Sequence, residues 1–168
     1  REGVLWKLAV EDWDAVQRVN LRGAFLLLRH AIPLMRASGG GRIVLIGSIN
    51  GSRGKFGTAA YSASKAGLIA LAKTAAREVA RFGILVNVVE PGWVLTPLTK
   101  SMPQDIQNAA LAESLLGSFV EPADVAAAVQ DFAARAIASE DVALNEAERI
   151  RLAEELTDET IGMGPLAP

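Results

Sequence analysis

The sequence predicts an α/β fold built on a parallel sheet. Two short, branched apolar runs, at residues 42–48 and 84–89, are each preceded by glycine, as expected for strands buried on both faces. A helical pattern over residues 58–82 separates them. A strand–helix–strand unit of this length places the two strands side by side in parallel, through a right-handed crossover.

Further helices are predicted on both sides of this unit. Residues 11–37 form a long helical pattern, with Pro33 as a candidate kink. Residues 95–119 are interrupted by prolines, and we expect them to form a mobile lid. A helix is predicted from residue 122 to residue 137, because Pro122 suits a first helical position. Residues 145–156 predict a charged amphipathic helix.

Composition excludes several classes of function. A length of 168 residues suits one domain, and a hydrophobic content of 51% supplies material for a core. A net charge of −2 without a basic stripe argues against nucleic-acid binding. With no cysteine and a single histidine, we expect neither a disulfide nor a metal site. No apolar run approaches the ~18 residues of a membrane span, and no secretory signal is evident, so we expect a cytoplasmic protein without a membrane partner.

A tyrosine and a lysine in the second long helix form a candidate proton-transfer pair. Tyr61 and Lys65 are four residues apart, a spacing that places both side chains on one helix face. A nearby ammonium favours the phenolate, so a tyrosine hydroxyl can act as acid or base. A half-buried Tyr beside a solvated Lys would give the same pattern. Ser48 follows the first predicted strand, at the sheet edge where open α/β sheets place their ligand crevice.

Four blocks of sequence place these residues in a wider pattern: VNLRG at 19–23, IGS at 46–48, YSASKAG at 61–67 and VNVVEPG at 86–92, followed by Thr96. In their order and spacing the chain resembles the short-chain dehydrogenase/reductase family, and within it the 3-oxoacyl carrier-protein reductase-like branch. The resemblance covers residues 1–135. It implies the C-terminal part of a doubly wound, Rossmann-like parallel sheet in three layers, α/β/α.

The resemblance also implies an activity and the residues that perform it. A hydride would pass between NADP or NAD, with NADP slightly favoured, and a ketone or secondary alcohol, with a 3-oxoacyl thioester as one candidate. Tyr61 would be the general acid, and Lys65 would support the phenolate and bind the ribose hydroxyls. Ser48 would donate a hydrogen bond to the substrate oxygen. Asn20 would hold a water that links Lys65 to solvent.

The remaining implied contacts follow from the same blocks. Besides Tyr61 and Lys65, the cofactor is expected to contact Pro91, Gly92, Val94 and Thr96. Besides Ser48, the substrate is expected to contact Asn50 and Trp93.

Three of these residues also have purely structural interpretations. Ser48 could satisfy a backbone group at the strand end. Asn20 could kink its helix, or make a polar contact between subunits. Thr96 could cap a helix that has Pro97 in its first position.

The chain departs from the family pattern at both ends. A glycine-rich turn between a strand and a helix, which would bind the cofactor pyrophosphate, is not found; residues 38–41 precede a strand and predict a helix end instead. We therefore expect residues 1–137 to be a partial catalytic domain lacking the N-terminal cofactor-binding segment, and residues 138–168 to be an atypical helical tail. The alternative is a non-catalytic fragment or partner subunit that acts as an interaction module.

The small predicted sheet also suggests self-association. Two parallel strands seldom form a free-standing core. The two long helices are apolar over wide arcs, so we expect a homo-oligomer formed through them.

Overall fold

The computed structural model describes residues 3–138, with side chains described as far as residue 134. Its centre is a parallel pair of strands, β1 (Gly41–Ile46) and β2 (Ile84–Val89), which hydrogen-bond along their full lengths. The predicted α/β class and the parallel pairing are confirmed. The second strand has the predicted bounds, whereas β1 ends two residues before the predicted end at Ser48.

The long helix predicted before β1 is interrupted near its middle. It consists of α1 (Val10–Gln17), a π-helical turn (Arg18–Arg22) and α2 (Gly23–Ala37), preceded by a short 3₁₀ turn at Leu5–Lys7. Pro33 lies inside α2 without ending it. The widened turn contains Asn20, so the helix is irregular at the polar residue that fits a regular helix least well.

The helix between the strands is confirmed almost as predicted. It comprises α4 (Ala59–Val79) and a 3₁₀ turn (Ala80–Phe82), and Gly83 ends it with a left-handed φ of 70°. A residue with a β-carbon is disfavoured in that conformation, which explains the glycine. One face of α4 packs on the sheet and on α2. The buried side chains of this core are Leu28, Ile43, Ala72, Ala75, Val79, Ile84 and Val86.

Short helices form in two further segments, one of which is the expected lid. Residues 49–53 form α3 (Ile49–Arg53) directly after Ser48. The expected lid contains α5 (Pro97–Lys100) and α6 (Gln104–Ala112). Prolines suggested an interrupted lid, but Pro97 and Pro103 lie at helix starts, where a missing N–H costs nothing.

The final described helix is α7 (Pro122–Ala138), which matches the prediction to within one residue. Asp124 caps its start by accepting the backbone N–H of Glu121 at 3.0 Å. The helix predicted at residues 145–156 lies outside the described residues. Within residues 3–138, no helix is both long and apolar enough to cross a membrane.

Candidate active site

The loops that follow the two strands run side by side. The backbone N–H of Gly47 donates to Val89 O at 2.7 Å, and that of Ile49 donates to Pro91 O at 3.2 Å. These bonds continue the contact between the strands beyond the sheet. Ser48 and the Pro91-Gly92 turn are therefore held together at the carboxyl edge, where parallel α/β sheets bind their ligands.

Ser48 is buried, with 6% of its surface exposed, and it caps α3. Its hydroxyl oxygen accepts the backbone N–H of Asn50 at 3.2 Å. The interpretation that Ser48 satisfies a backbone group at the strand end is thus confirmed, because its oxygen accepts this N–H. The accepted bond uses a lone pair and not the proton, so the hydroxyl keeps the capacity to donate to a substrate oxygen.

Tyr61 and Lys65 lie on one face of the first two turns of α4, as predicted. The Lys65 ammonium nitrogen is 5.7 Å from the centre of the Tyr61 ring. It donates a hydrogen bond of 2.7 Å to the carbonyl oxygen of Ile46, the last residue of β1. Burial lowers the pKa of Lys65 from its ordinary value. The pair is therefore placed against the carboxyl end of β1, beside the strand end that leads to Ser48.

Close backbone packing brings α3 onto α4 at this point. A β-carbon on Gly51 would lie 2.9 Å from the backbone of both Lys65 and Ala66, which is closer than real β-carbons approach. Glycine is the residue that allows such an approach. The helix capped by Ser48 and the helix that contains Lys65 are consequently in direct contact.

Asn20 connects the π-helical turn to the candidate catalytic helix. Its side-chain amide donates to the hydroxyl of Ser64 at 3.0 Å, and that hydroxyl donates to the carbonyl oxygen of Tyr61 at 2.7 Å. Ser64 is fully buried. Asn20 therefore anchors α4 one residue before Lys65. The sequence analysis missed Ser64, although a small polar residue on the buried face of a helix is a signal for such a bond.

Thr96 is the N-cap of α5, with Pro97 in the first turn. Its hydroxyl accepts the backbone N–H of Thr99 at 3.3 Å. The structural interpretation of Thr96 is confirmed, and a contact with a cofactor stays a prediction. Nearby, Val120 donates its N–H to Trp93 O and accepts that of Leu95, which ties the end of the lid to its beginning.

A cluster of charged side chains, which the sequence did not predict, joins the lid to the segment that follows β1. Glu113, at the end of α6, accepts hydrogen bonds from Lys55 at 2.5 Å, from the Trp93 indole at 3.2 Å, and from Arg53. We call Arg53, Lys55, Trp93 and Glu113 the lid cluster. Its two cations are 58 and 60 residues from Glu113 in sequence, so no local pattern could predict the contact.

The lid cluster lowers the pKa of the Glu113 carboxyl group. The hydrogen bond from Lys55 is the largest cause that lowers the pKa of Glu113, from 4.5 to about 2. The bonds from Trp93 and Arg53 add to this effect, and partial burial opposes it. The folded-state pKa lies below the unfolded-state value, so the stabilisation is complete above pH 4.5 and is lost as the pH falls toward about 2.

We therefore expect Glu113→Gln to be less stable than the wild type at pH 7, with a difference that disappears near pH 2. Urea unfolding at several pH values measures this difference. Glu78→Gln, which removes an exposed carboxylate from α4, is the matched control. A Glu113→Gln difference that stays constant down to about pH 2 would show that Glu113 makes no ion pair in solution.

Two other features of the described residues bear on ligand binding. An open groove is lined by residues of α1, the π-helical turn and α2, and includes none of the candidate catalytic residues. No three His, Cys, Asp or Glu side chains in the described part of the chain are arranged to hold a metal ion.

The sequence matches a family model described as enoyl-(acyl carrier protein) reductase over residues 2–139. This match covers most of the chain and includes every candidate site residue. The chain belongs to the short-chain dehydrogenase/reductase family. The predicted resemblance is thereby confirmed.

The chain is also similar in sequence to individual proteins of the short-chain dehydrogenase/reductase family. The chain is 44% identical over 127 residues to the mouse (3R)-3-hydroxyacyl-CoA dehydrogenase, covering 75% of this chain and 49% of that protein. It is 41% identical over 126 residues to the 3-oxoacyl-[acyl-carrier-protein] reductase of Thermotoga maritima, covering 75% and 51%. It is 41% identical over 129 residues to the acetoacetyl-CoA reductase of an Acinetobacter strain, covering 77% and 52%. The chain spans about half the length of these relatives.

The described residues fit one end of the nicotinamide cofactor that short-chain dehydrogenases use. The Lys65 ammonium and the buried Ser48 hydroxyl lie at the carboxyl edge of β1, and the centre of the Tyr61 ring is 5.7 Å from that ammonium. Such groups suit ribose hydroxyls and a reacting carbonyl. Within residues 3–138, no glycine-rich turn leads from a strand into a helix in the order that binds a pyrophosphate. Lys65, Tyr61 and Ser48 would hold the ribose and nicotinamide end of the cofactor.

Proposed function

We propose that this chain carries the proton-transfer residues of an oxidoreductase that moves a hydride between NADP or NAD and a ketone or secondary alcohol. The observation that carries the proposal is the Tyr61–Lys65 pair, fixed against the end of β1 by the bond from Lys65 to Ile46. The names of the relatives favour a 3-oxoacyl or 3-hydroxyacyl thioester as the substrate. NADP is slightly favoured as the cofactor by the resemblance to the family.

Each residue has a chemical part in the reduction. Ser48 donates a hydrogen bond to the substrate carbonyl oxygen and stabilises the charge that develops there. Tyr61 gives its hydroxyl proton to the same oxygen, and the Lys65 ammonium stabilises the phenolate that is left. The bound nicotinamide supplies the hydride. In the reverse direction Tyr61 is the base that removes the alcohol proton.

Lys65 can also bind the ribose without giving up its present contact. An ammonium group has three donors, and the carbonyl of Ile46 takes one of them. Two donors are left for the ribose hydroxyls. Asn20 donates to Ser64, so its side-chain carbonyl is available to accept a bond from a water that leads to Lys65.

The proposal is tested by titrating the chain with NADPH and NADH while nicotinamide fluorescence is followed. We expect saturable binding of the nucleotide. Lys65→Ala should raise Kd at least about tenfold, because the hydrogen bonds that the Lys65 ammonium donates to the nucleotide would be lost. Lys73→Ala removes an exposed lysine from the same helix and is the matched control. If neither nucleotide binds, the non-catalytic fragment or interaction module becomes the better interpretation.

We further propose that the chain forms a homo-oligomer through its long helices. Val19, Leu27 and Leu34 belong to the helical run before β1 and expose 71%, 74% and 72% of their surfaces. Burying these side chains against a second copy would remove apolar surface from water. Size-exclusion chromatography with light scattering measures the mass, and a compact monomer would contradict the proposal.

A further inference from the structure

The lid cluster brings three donor groups onto one carboxylate at the surface. Lys55 donates to one oxygen of Glu113, while Arg53 and the Trp93 indole donate to the other. Lys55 also lies over the Trp93 ring, with its nitrogen 4.6 Å from the ring centre. The side chains of Arg53 and Lys55 are 40% and 26% exposed, so a group from solvent can reach them.

Hydrogen bonds connect these donors to the candidate catalytic serine. The Arg53 guanidinium donates to the Asn50 side-chain oxygen at 3.1 Å, and the Asn50 backbone donates to the Ser48 hydroxyl at 3.2 Å. The connecting helix α3 has five residues and is ~7.5 Å long. An anionic group bound by these donors would therefore be separated from the reacting carbonyl by a linker, and would not be attached to it directly.

The carboxylate and its two cationic partners come from different segments of the chain. Glu113 lies in the lid, at the end of α6, whereas Arg53 and Lys55 belong to α3 and the loop that follows it. Directly after Glu113, the side chains of Leu115 and Leu116 are 105% and 90% exposed, so they pack on nothing in the described chain. The lid cluster and the backbone hydrogen bonds of Val120 therefore hold this end of the lid.

We propose that Arg53, Lys55 and Trp93 form a binding site for a phosphate group on the carrier of the thioester substrate, and that Glu113 fills this site until the substrate displaces it. An arginine fork, an ammonium and an indole N–H suit phosphate oxygens, which are acceptors only. The inference rests on the proposed function, because it assumes a thioester whose pantetheine arm is joined to its carrier through phosphate. The exchange couples substrate entry to lid opening.

The Trp93 indole N–H reports directly on this exchange, because its hydrogen bond to Glu113 breaks when the carboxylate leaves. The experiment follows the indole signals of the ¹⁵N-labelled chain by NMR, and the Trp93 signal is assigned as the one missing from Trp93→Phe. Coenzyme A, which has phosphates, and pantetheine, which has none, are titrated separately at constant ionic strength. We expect a saturable shift of the Trp93 signal with coenzyme A only.

Variants test the assignment of each group. Arg53→Gln and Lys55→Gln should each weaken coenzyme A binding about tenfold, whereas Glu113→Gln should tighten it by removing the internal competitor. Lys73→Gln, on the exposed face of α4, is the control and should leave binding unchanged. Circular dichroism confirms that each variant is folded.

The source of the phosphate is resolved by a second titration, with an acyl carrier protein that carries phosphopantetheine and with its unmodified form. A shift that saturates with the modified form alone supports the proposal and identifies a protein carrier. A saturable shift with coenzyme A but with neither form of the carrier protein also supports the proposal and identifies coenzyme A as the carrier. Equal shifts with coenzyme A and pantetheine, or no shift with coenzyme A and none with the modified carrier protein, would overturn it. No nicotinamide is present in these titrations, so they can fail while NADPH still binds, and NADPH binding can fail while they succeed.

Discussion

Tyr61→Phe is expected to lower kcat for reduction of a 3-oxoacyl thioester on the order of 10²–10⁴-fold, the usual effect of losing a positioned general acid. Phenylalanine keeps the ring that lies 5.7 Å from the Lys65 ammonium but has no proton to give. The measurement is the steady-state oxidation of NADPH with the variant and the wild type compared at saturating substrate.

Nicotinamide binding separates this chemical effect from a loss of structure. Ser64 bonds to the backbone carbonyl of Tyr61 and not to its side chain, so the anchor between Asn20 and α4 survives the substitution. Tyr61→Phe loses one hydroxyl contact but keeps the Lys65 ammonium, so it should still bind NADPH saturably, with a smaller rise in Kd than Lys65→Ala. A variant that keeps its kcat would show that another group protonates the substrate.

Ile84→Ala is expected to destabilise the fold by about 2–5 kcal/mol, as large-to-small substitutions in cores do. Ile84 begins β2 and is 0% exposed, and it belongs to the core formed by the strands, α2 and α4. Alanine would leave a cavity between the sheet and α4 that these elements can only partly close. Urea unfolding followed by circular dichroism gives the free energy of unfolding.

The next residue of β2 supplies the matched control. Leu85 points to the opposite face of the strand and is 40% exposed, so Leu85→Ala removes a similar volume from a more open site. We expect its effect to be clearly smaller than that of Ile84→Ala. Equal effects would indicate that both faces of β2 are covered in solution, as they would be in an oligomer.

The main elements of the fold could be predicted because they depend on local signals. The branched apolar runs marked both strands, and the helix between them ended at Gly83, as expected for a left-handed terminus. The first helix was predicted as one long helix, with a kink at Asn20 as one interpretation, and the π-helical turn does contain Asn20. What could not be foreseen is the bond from Asn20 to Ser64. That bond joins residues 44 positions apart.

The same distinction between local and distant contacts applies to the candidate site. The spacing of Tyr61 and Lys65 predicted their shared face, and Thr96 followed by Pro97 indicated a helix cap as one of two interpretations. The partner of Lys65, the carbonyl of Ile46, could not be predicted, because any strand-end oxygen would satisfy an ammonium. Glu113 was missed because its partners lie outside the lid and become neighbours only after folding.

The bond from Lys65 to the last carbonyl of β1 links the acid–base pair to the register of the sheet. Sliding β1 by one residue would move that oxygen by about 3.3 Å and draw the ammonium away from the phenol ring. A peptide copied from α4 alone could place both side chains on one face but would lack the carbonyl of Ile46 that holds the ammonium. Reactivity in this chain should therefore appear only once strand pairing is complete, and a folding intermediate with a formed helix but a slipped strand should be inert.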